Sequence, residues 1–410
     1  MEFGLIGEHL GHSFSREIHG MLCSAPYELR ELAPDELLKF LADRDFRGIN
    51  VTIPYKRAVM PHLDAIDESA RACNAVNAIV RQDGKLTGYN TDYDGFIALA
   101  RHAGIDFKGA KVVILGAGGA ASAVEAAARS MGAASVRNAV RTVRTQEQLP
   151  LASPELWSDC EVLVNATPVG MYPNWQSTPV NLDELPHLRG VLDCIYNPIR
   201  TRLVLDAQAR SIPADGGLYM LVGQAVRARE LFDGCSSPES RCEEIYGRIL
   251  RSKRNLVLTG MPSCGKSSVG RELASRTGRR FVDTDEVIAL QAGMEIPEIF
   301  AREGESGFRE RETAAIESLA AEQGLIIATG GGAILRDENV RLLRHNGIIC
   351  LIQRDINLLT PTADRPLSSD RAALQALYRH RLPYYLRAAE LTIDNDGPLD
   401  RTVEELLKEC

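Results

Sequence analysis

The run Gly260-Met-Pro-Ser263-Cys264-Gly265-Lys266-Ser267-Ser268 contains the spacing G-x-x-x-x-G-K-[ST]. A loop of this kind surrounds phosphate with its backbone N–H groups, its lysine reaches the terminal phosphates, and its first hydroxyl sits on Mg²⁺. Lys266 and Ser267 take those two roles here, which predicts an ATP-type nucleotide and Mg²⁺ as cofactors. A second glycine run lies far upstream, Gly116-Ala117-Gly118-Gly119-Ala120-Ala121, and reads G-x-G-x-x-A. It is the pattern of a dinucleotide site, with the pyrophosphate at a helix N-terminus. An NAD site offers a carboxylate about 20 positions on to grip the ribose 2′-hydroxyl. The corresponding stretch, residues 135–144, has no acidic residue and carries Arg137, Arg141 and Arg144. Arginines suit a 2′-phosphate, so NADP(H) is expected; Arg137 and Arg144 fit a solvated basic face equally well.

Both loops need a strand before them and a helix after. Residues 255–259 and 111–115 are apolar runs of strand length, and residues 269–274 and the alanine-rich stretch after Ala121 have helical patterns. Strands are also expected at 3–7, 27–32, 48–52, 75–81, 191–195 and 325–328. Short β-like runs alternating with helical patterns predict α/β domains with parallel sheets. The break in composition is Gly234-Cys-Ser-Ser-Pro-Glu-Ser240, followed by a helix at about 241–251 that leads almost directly into the strand before the phosphate loop.

A chain of 410 residues exceeds one ordinary core and suggests two or three domains. With 45% hydrophobic and 25% charged residues and a net charge of -8, it reads as globular, with neither a nucleic acid nor an anionic membrane as partner. Nine cysteines without a C-x-x-C pair point to reduced thiols. The N-terminus lacks a basic, apolar signal pattern, and no apolar run approaches the ~20 residues that span a bilayer. A cytoplasmic location is therefore expected.

The N-terminal part carries polar clusters: His12-Ser13-Phe-Ser15, Gly48-Ile-Asn50-Val-Thr52-Ile-Pro54-Tyr-Lys56, and Gly88-Tyr-Asn90-Thr91-Asp92-Tyr-Asp-Gly95. Together with Asn165-Ala-Thr-Pro-Val-Gly-Met171, Asp193-Cys-Ile-Tyr196-Asn-Pro198 and Gly217-Leu-Tyr-Met-Leu-Val-Gly-Gln224, they resemble the shikimate dehydrogenase family over roughly residues 1–248. The resemblance implies NADPH-dependent reduction of 3-dehydroshikimate, with Lys56 and Asp92 as the catalytic pair. It implies Ser13 and Ser15 at the substrate carboxylate, and Thr52, Asn77, Asp92, Tyr196 and Gln224 around the ring hydroxyls. Gly116 to Ala120 and Gly217 would contact the cofactor, with Arg141 and Thr142 at its 2′-phosphate. The family usually has Asn-Arg-Thr there; this chain has Val140-Arg141-Thr142, with Asn138 as a possible substitute.

From Arg254 onward the chain resembles shikimate kinase. Phe281-Val-Asp283-Thr-Asp285, Phe308-Arg309-Glu310-Arg-Glu312, Gly330-Gly331-Gly332, Asp364-Arg365-Pro-Leu and Arg381-Leu-Pro-Tyr-Tyr385 carry the match. The resemblance implies Asp283 with Ser267 near Mg²⁺, and Asp285 at the attacking hydroxyl. Arg309, Arg381, Gly331 and Gly332 would bind shikimate, and Arg365 of the lid would act on the transferring phosphoryl group with Lys266. Guanidinium forks suit a carboxylate, and cations suit developing phosphoryl charge. The lid between 352 and 365 looks shortened, with Thr360 where the family often has an arginine.

The expected architecture is a two-lobed dehydrogenase at 1–248 followed by a P-loop kinase domain at 254–410. The dehydrogenase would comprise a substrate lobe of about 1–99 plus 217–248 and a Rossmann lobe of about 100–216. The function implied is two consecutive steps, dehydroshikimate to shikimate and shikimate to shikimate 3-phosphate, in a monomer or homodimer. The alternatives are a dehydrogenase joined to a weakly catalytic ATP- and shikimate-binding module, and a reductase acting on quinate with NAD.

Overall fold

Three sheets are built from the short apolar runs, and each carries its chemistry at strand ends or on the helices that follow. The structure, a computed structural model, describes residues 1–10, 14–238, 240–360 and 370–410. The chain divides into two compact units, Met1–Ile249 and Leu250–Cys410.

The first sheet joins β1 (Phe3–Gly7), β2 (Tyr27–Glu31), β3 (Gly48–Val51), β4 (Ala65–Ile66), β5 (Ala78–Gln82) and β6 (Lys85–Tyr89) in the order β2-β1-β3-β5-β6-β4. β1 runs parallel to β2 and β3, whereas β5 is antiparallel to β3 and β6. The β5–β6 hairpin turns through Asp83 and Gly84, both at positive φ, the geometry that favours an Asp-Gly pair. That dipeptide between apolar runs was a legible signal for β6, which the sequence reading omitted. The expected strand at 75–81 begins later, at Ala78, because Asn74 ends the preceding helix in a left-handed conformation and the Val76 amide turns aside to Lys56 O at 2.8 Å.

The second sheet joins β7 (Lys111–Leu115), β8 (Ser135–Val140), β9 (Gln148–Pro150), β10 (Val162–Asn165), β11 (Gly190–Asp193) and β12 (Ala214–Asp215) in the order β12-β11-β10-β7-β8-β9, all parallel. Its central strands are fully buried valines, isoleucines and leucines, as a sheet covered on both faces requires. Helices Thr91–His102 and Leu218–Asp233 pack where a Cβ on Gly95 would stand 2.6 Å from Met220 O. Only glycine permits that approach, and it brings Gln224 to the side of Asp92.

In the second unit β13 (Asn255–Thr259), β14 (Phe281–Asp283), β15 (Ile326–Ala328), β16 (Gly347–Gln353) and β17 (Leu391–Asp394) form a parallel sheet in the order β14-β15-β13-β16-β17. The phosphate loop connects the central strand β13 to helix Lys266–Thr277, so the loop opens at the carboxyl end of the sheet. Among the described residues no helix is long and apolar enough to cross a membrane.

Candidate active sites

In the first unit, a cavity of about 360 Å³ is lined by Ser15, Asn50, Thr52, Lys56, Asn77, Asp92, Tyr196 and Gln224, together with Leu5, His9, Leu10, Val51 and Leu221. Every dehydrogenase substrate or catalytic residue expected from the sequence is among them except Ser13, which lies outside the described residues. Lys56 Nζ donates to Asp92 Oδ2 at 2.5 Å, a short charge-assisted hydrogen bond between two largely sheltered side chains. Asp92 is fixed by its place in the first turn of its helix, whose cap Asn90 accepts from the Asp92 amide at 3.1 Å. Lys56 stands on the short helix Tyr55–Ala58 just after Pro54, with its carbonyl held by the Val76 amide.

The polar side chains of this cavity are held from behind by residues that the sequence reading did not assign. Asn77 Oδ1 accepts from the Thr91 amide at 2.6 Å, and the Thr91 hydroxyl lies 3.1 Å from Asn77 Nδ2 and 3.4 Å from Gln224 Oε1. Asn50 donates to Asn77 O at 3.2 Å and accepts from Tyr27 Oη at 2.8 Å. The Asn90-Thr91-Asp92 run advertises a helix cap in sequence, but Thr91's partners are distant along the chain.

His19 lies behind this network, 2% exposed, its ring stacked 3.9 Å from that of Tyr27. Burial, reinforced by the charge of Arg229, pushes its pKa down to about 3. Native His19 is therefore neutral, while in the unfolded chain it takes a proton below its ordinary value of 6.5. Its contribution to stability is complete above that value and declines by about 1.4 kcal/mol per pH unit as pH falls toward about 3. Asp193 acts in the opposite sense. Burial raises its carboxyl to about 7, so it adds stability as pH falls below that value. His19→Phe is expected to remove the histidine share of the acid slope and leave the Asp193 share. Urea unfolding followed by tryptophan fluorescence between pH 7 and 4 measures this, because both tryptophans, Trp157 and Trp175, belong to the first unit. An unchanged acid slope in the variant would refute the assignment.

The dinucleotide loop runs from the end of β7 into helix Gly119–Ser130. Gly116 has φ +106°, a conformation reserved for glycine, and its carbonyl accepts from Asn138 Nδ2 at 2.9 Å. Asn138 is thereby committed to shaping the loop. Arg137 is paired with Asp159 at 2.9 Å, whereas Arg141 and Thr142 stand exposed just past β8. A Cβ on Gly119 would lie 3.6 Å from Lys56 Cδ, so the start of the nucleotide helix borders the Lys56–Asp92 pair. Gly217 caps helix Leu218–Asp233 and donates its amide to Ile195 O at 2.8 Å. Beneath the loop, Asp193 accepts from Thr201 Oγ1 at 2.7 Å and from Asn165 Nδ2 at 3.1 Å, tying the ends of β10 and β11.

In the second unit the three glycines after β15 are a hub. A Cβ on Gly330 would stand 2.7 Å from Asp285 Oδ1 and 3.1 Å from Glu312 Oε1, and one on Gly331 would stand 3.1 Å from an Arg381 guanidinium nitrogen. A Cβ on Gly332 would collide with the guanidinium of Arg309. The expected substrate residues thus converge on one loop. Glu312, which the sequence reading matched without a role, is fully buried and accepts from Arg309 Nη1 at 2.7 Å. Its other oxygen and Arg381 Nε are buried with no hydrogen-bond partner among the described residues. A buried guanidinium with a spare Nε–H fits an anionic ligand.

Lys266 Nζ donates to Gly260 O at 3.1 Å and Met261 O at 3.0 Å, and Gly265 has φ +99°. Ser263, at φ +64°, is a non-glycine residue in the left-handed region. Ser268 is exposed just inside the helix, and Cys264 is buried. Ser267 Oγ donates to Asp283 Oδ2 at 2.8 Å, bringing together two hard oxygen ligands suited to Mg²⁺. Asn395, beyond the last point legible in sequence, donates to Cys264 O at 2.7 Å and is itself held by Thr402. Arg365 lies outside the described residues.

The family model described as shikimate dehydrogenase substrate binding domain matches residues 5–79, and that described as shikimate kinase matches residues 262–410. A shikimate dehydrogenase (NADP(+)) of Clostridium perfringens is 37% identical over 267 residues, 60% of this chain and 97% of that relative. A chorismate mutase/shikimate 5-dehydrogenase fusion protein from Clostridium acetobutylicum superposes with a TM-score of 0.58 at 32% identity, covering 60% of this chain and 96% of that structure. A shikimate 5-dehydrogenase from Thermus thermophilus, in complex with NADP(H) and shikimate, gives 0.54 at 31% identity, covering 60% of this chain and 99% of that one. With the Lys56–Asp92 cavity in the first unit and the glycine hub beside a phosphate loop in the second, the chain belongs to the shikimate dehydrogenase family and carries a shikimate kinase domain at its C-terminal end.

Proposed function

We propose that the first unit reduces 3-dehydroshikimate to shikimate and that the second phosphorylates shikimate to shikimate 3-phosphate. The observation that carries the reading is the 2.5 Å Lys56–Asp92 pair, set in a cavity lined by Ser15, Thr52, Asn77, Tyr196 and Gln224 and bordered by Gly119 of the dinucleotide loop. NADPH, when bound, supplies the hydride, and ATP with Mg²⁺ supplies the phosphoryl group. Lys56 stabilises negative charge developing on the carbonyl oxygen and delivers its proton, while Asp92 holds the ammonium in place. Ser15, with Ser13, receives the carboxylate, and Asn77 and Gln224 receive ring hydroxyls. Arg141 and Thr142 meet the 2′-phosphate of NADP.

In the second unit Arg309, oriented by Glu312, and Arg381 grip the carboxylate of shikimate, and Asp285 orients the attacking hydroxyl and takes its proton. Ser267 and Asp283 hold Mg²⁺, and Lys266 with Arg365 neutralises phosphoryl charge. The spare Nε–H of buried Arg381 and the oxygen pair of Ser267 and Asp283 support binding of substrate and metal.

A mass-resolved time course with 3-dehydroshikimate, ATP and Mg²⁺, run with NADPH and separately with NADH, tests the proposal. Shikimate 3-phosphate is expected, faster with NADPH. Accumulation of shikimate would favour a C-terminal binding module, and untouched 3-dehydroshikimate beside oxidation of quinate in a parallel run with NAD would overturn the substrate assignment.

A further inference from the structure

The phosphate loop of the second unit is gripped from outside at one carbonyl. Asn395, 5% exposed, directly follows β17, and its backbone amide donates to Gln353 O at 2.8 Å. Its side-chain Nδ2 donates to Cys264 O at 2.7 Å. A carbonyl can only accept, so the NH2 end of the Asn395 amide must face Cys264 and Oδ1 turns the other way. There it meets the hydroxyl of Thr402, 2.8 Å away on helix Leu399–Leu407 and 1% exposed. The other oxygen near that hydroxyl, Asp394 O, is more distant at 3.1 Å.

The peptide joining Cys264 to Gly265 is trans, so its N–H points opposite to its C=O. With the carbonyl held toward Asn395, the Gly265 N–H faces away from it, free to join the groups that surround phosphate. Among the described residues that N–H has no hydrogen-bond partner. Gly265, at φ +99°, is also the residue about which this peptide can turn over, because glycine takes positive and negative φ with similar ease. A turned-over peptide would aim its oxygen at the phosphate and remove one donor. A Cβ on Gly265 would stand 2.5 Å from Asn395 Nδ2, so the grip itself needs a glycine there.

We propose that Asn395 is a positioning residue that fixes the Cys264–Gly265 peptide in its phosphate-binding orientation, and that Thr402 acts through it. This rests on the kinase reading above. The experiment is calorimetry on the full chain, titrating ADP with Mg²⁺ and, separately, shikimate without nucleotide. Asn395→Leu keeps the approximate volume and loses the donor, and its ADP affinity is expected to fall at least about tenfold. Its shikimate affinity should stay within about twofold of wild type. Thr402→Val should weaken ADP binding by about three- to tenfold, whereas Thr402→Ser, which keeps the hydroxyl, should stay within about twofold of wild type. The double variant Asn395→Leu/Thr402→Val should bind ADP no more weakly than Asn395→Leu alone, because two independent packing defects multiply and two members of one chain of contacts do not.

Inorganic tripolyphosphate, competing with ADP, locates the loss. Its affinity should fall in Asn395→Leu by the same factor as that of ADP, and an unchanged affinity would move Asn395 to the nucleoside and overturn the inference. An Asn395→Leu variant with wild-type ADP affinity, or with equal losses of ADP and shikimate, also overturns it and spares the kinase reading. Where Asn395→Leu fails to fold, equal ADP affinities in the two Thr402 variants overturn it instead. A wild type that binds neither ADP nor shikimate overturns the kinase reading and the inference with it.

Discussion

Lys56→Met is expected to lower kcat for reduction of 3-dehydroshikimate by roughly 10²- to 10⁴-fold, the range for loss of a positioned general acid. The substitution keeps the length and apolar stem of the side chain and removes the charge that Asp92 holds at 2.5 Å. Two losses combine at the reacting oxygen. The ammonium no longer opposes developing negative charge, and the Asp92 carboxylate is left facing the cavity without its cation. Substrate and NADPH affinities should change far less than kcat, because Ser15, Thr52, Asn77 and Gln224 remain in place. The kinase unit provides an internal control, since shikimate supplied directly should be phosphorylated at the wild-type rate. Steady-state kinetics of both reactions on one preparation make the comparison. A fall confined to KM would move Lys56 from proton delivery to substrate binding.

The second large effect is expected at Asp285. Asp285→Asn should reduce phosphoryl transfer by roughly 10²- to 10⁴-fold, as for removal of a catalytic base. Asp285 lies against Gly330 at the glycine hub, and its amide is fixed by the Asp283 cap at 3.1 Å. Asparagine keeps the size and the hydrogen-bonding reach but cannot take the proton of the attacking hydroxyl. Nucleotide binding, which depends on the loop from Gly260 to Ser268, should persist. In the coupled time course shikimate should accumulate while NADPH is consumed at the wild-type rate. Full phosphorylation by this variant would show that the hydroxyl proton leaves by another route.

The two nucleotide loops were legible because their chemistry is local. A turn that brings backbone N–H groups around phosphate needs glycines, a lysine and a helix start within a few residues, so the spacing survives in one dimension. The hairpin at Asp83-Gly84 was equally local and was overlooked. The strand shift near Ala78 was not local: the Val76 amide is claimed by Lys56, far along the chain, in preference to the sheet. Arg137, Arg141 and Arg144 look equivalent in sequence, and only the pairing of Arg137 with Asp159 separates it from Arg141.

The residues that hold others had the weakest signals. Thr91, Asn50, Tyr385 and Asn395 act through partners on other elements, such as Gly260 and Cys264, which lie more than a hundred residues from Tyr385 and Asn395. Sequence alone determined the α/β class, the two glycine-rich loops and, through resemblance, the side chains that gather around the Lys56–Asp92 cavity and the glycine hub. Tertiary structure decided which buried groups orient those side chains, and that Gly95, Gly330 and Gly332 are glycines because another segment occupies the space of a Cβ. The physical reason is one of range. Backbone conformation and capping are settled by neighbours in the chain, whereas satisfaction of a buried polar group and exclusion of a side chain are settled by whatever the packed core brings into contact.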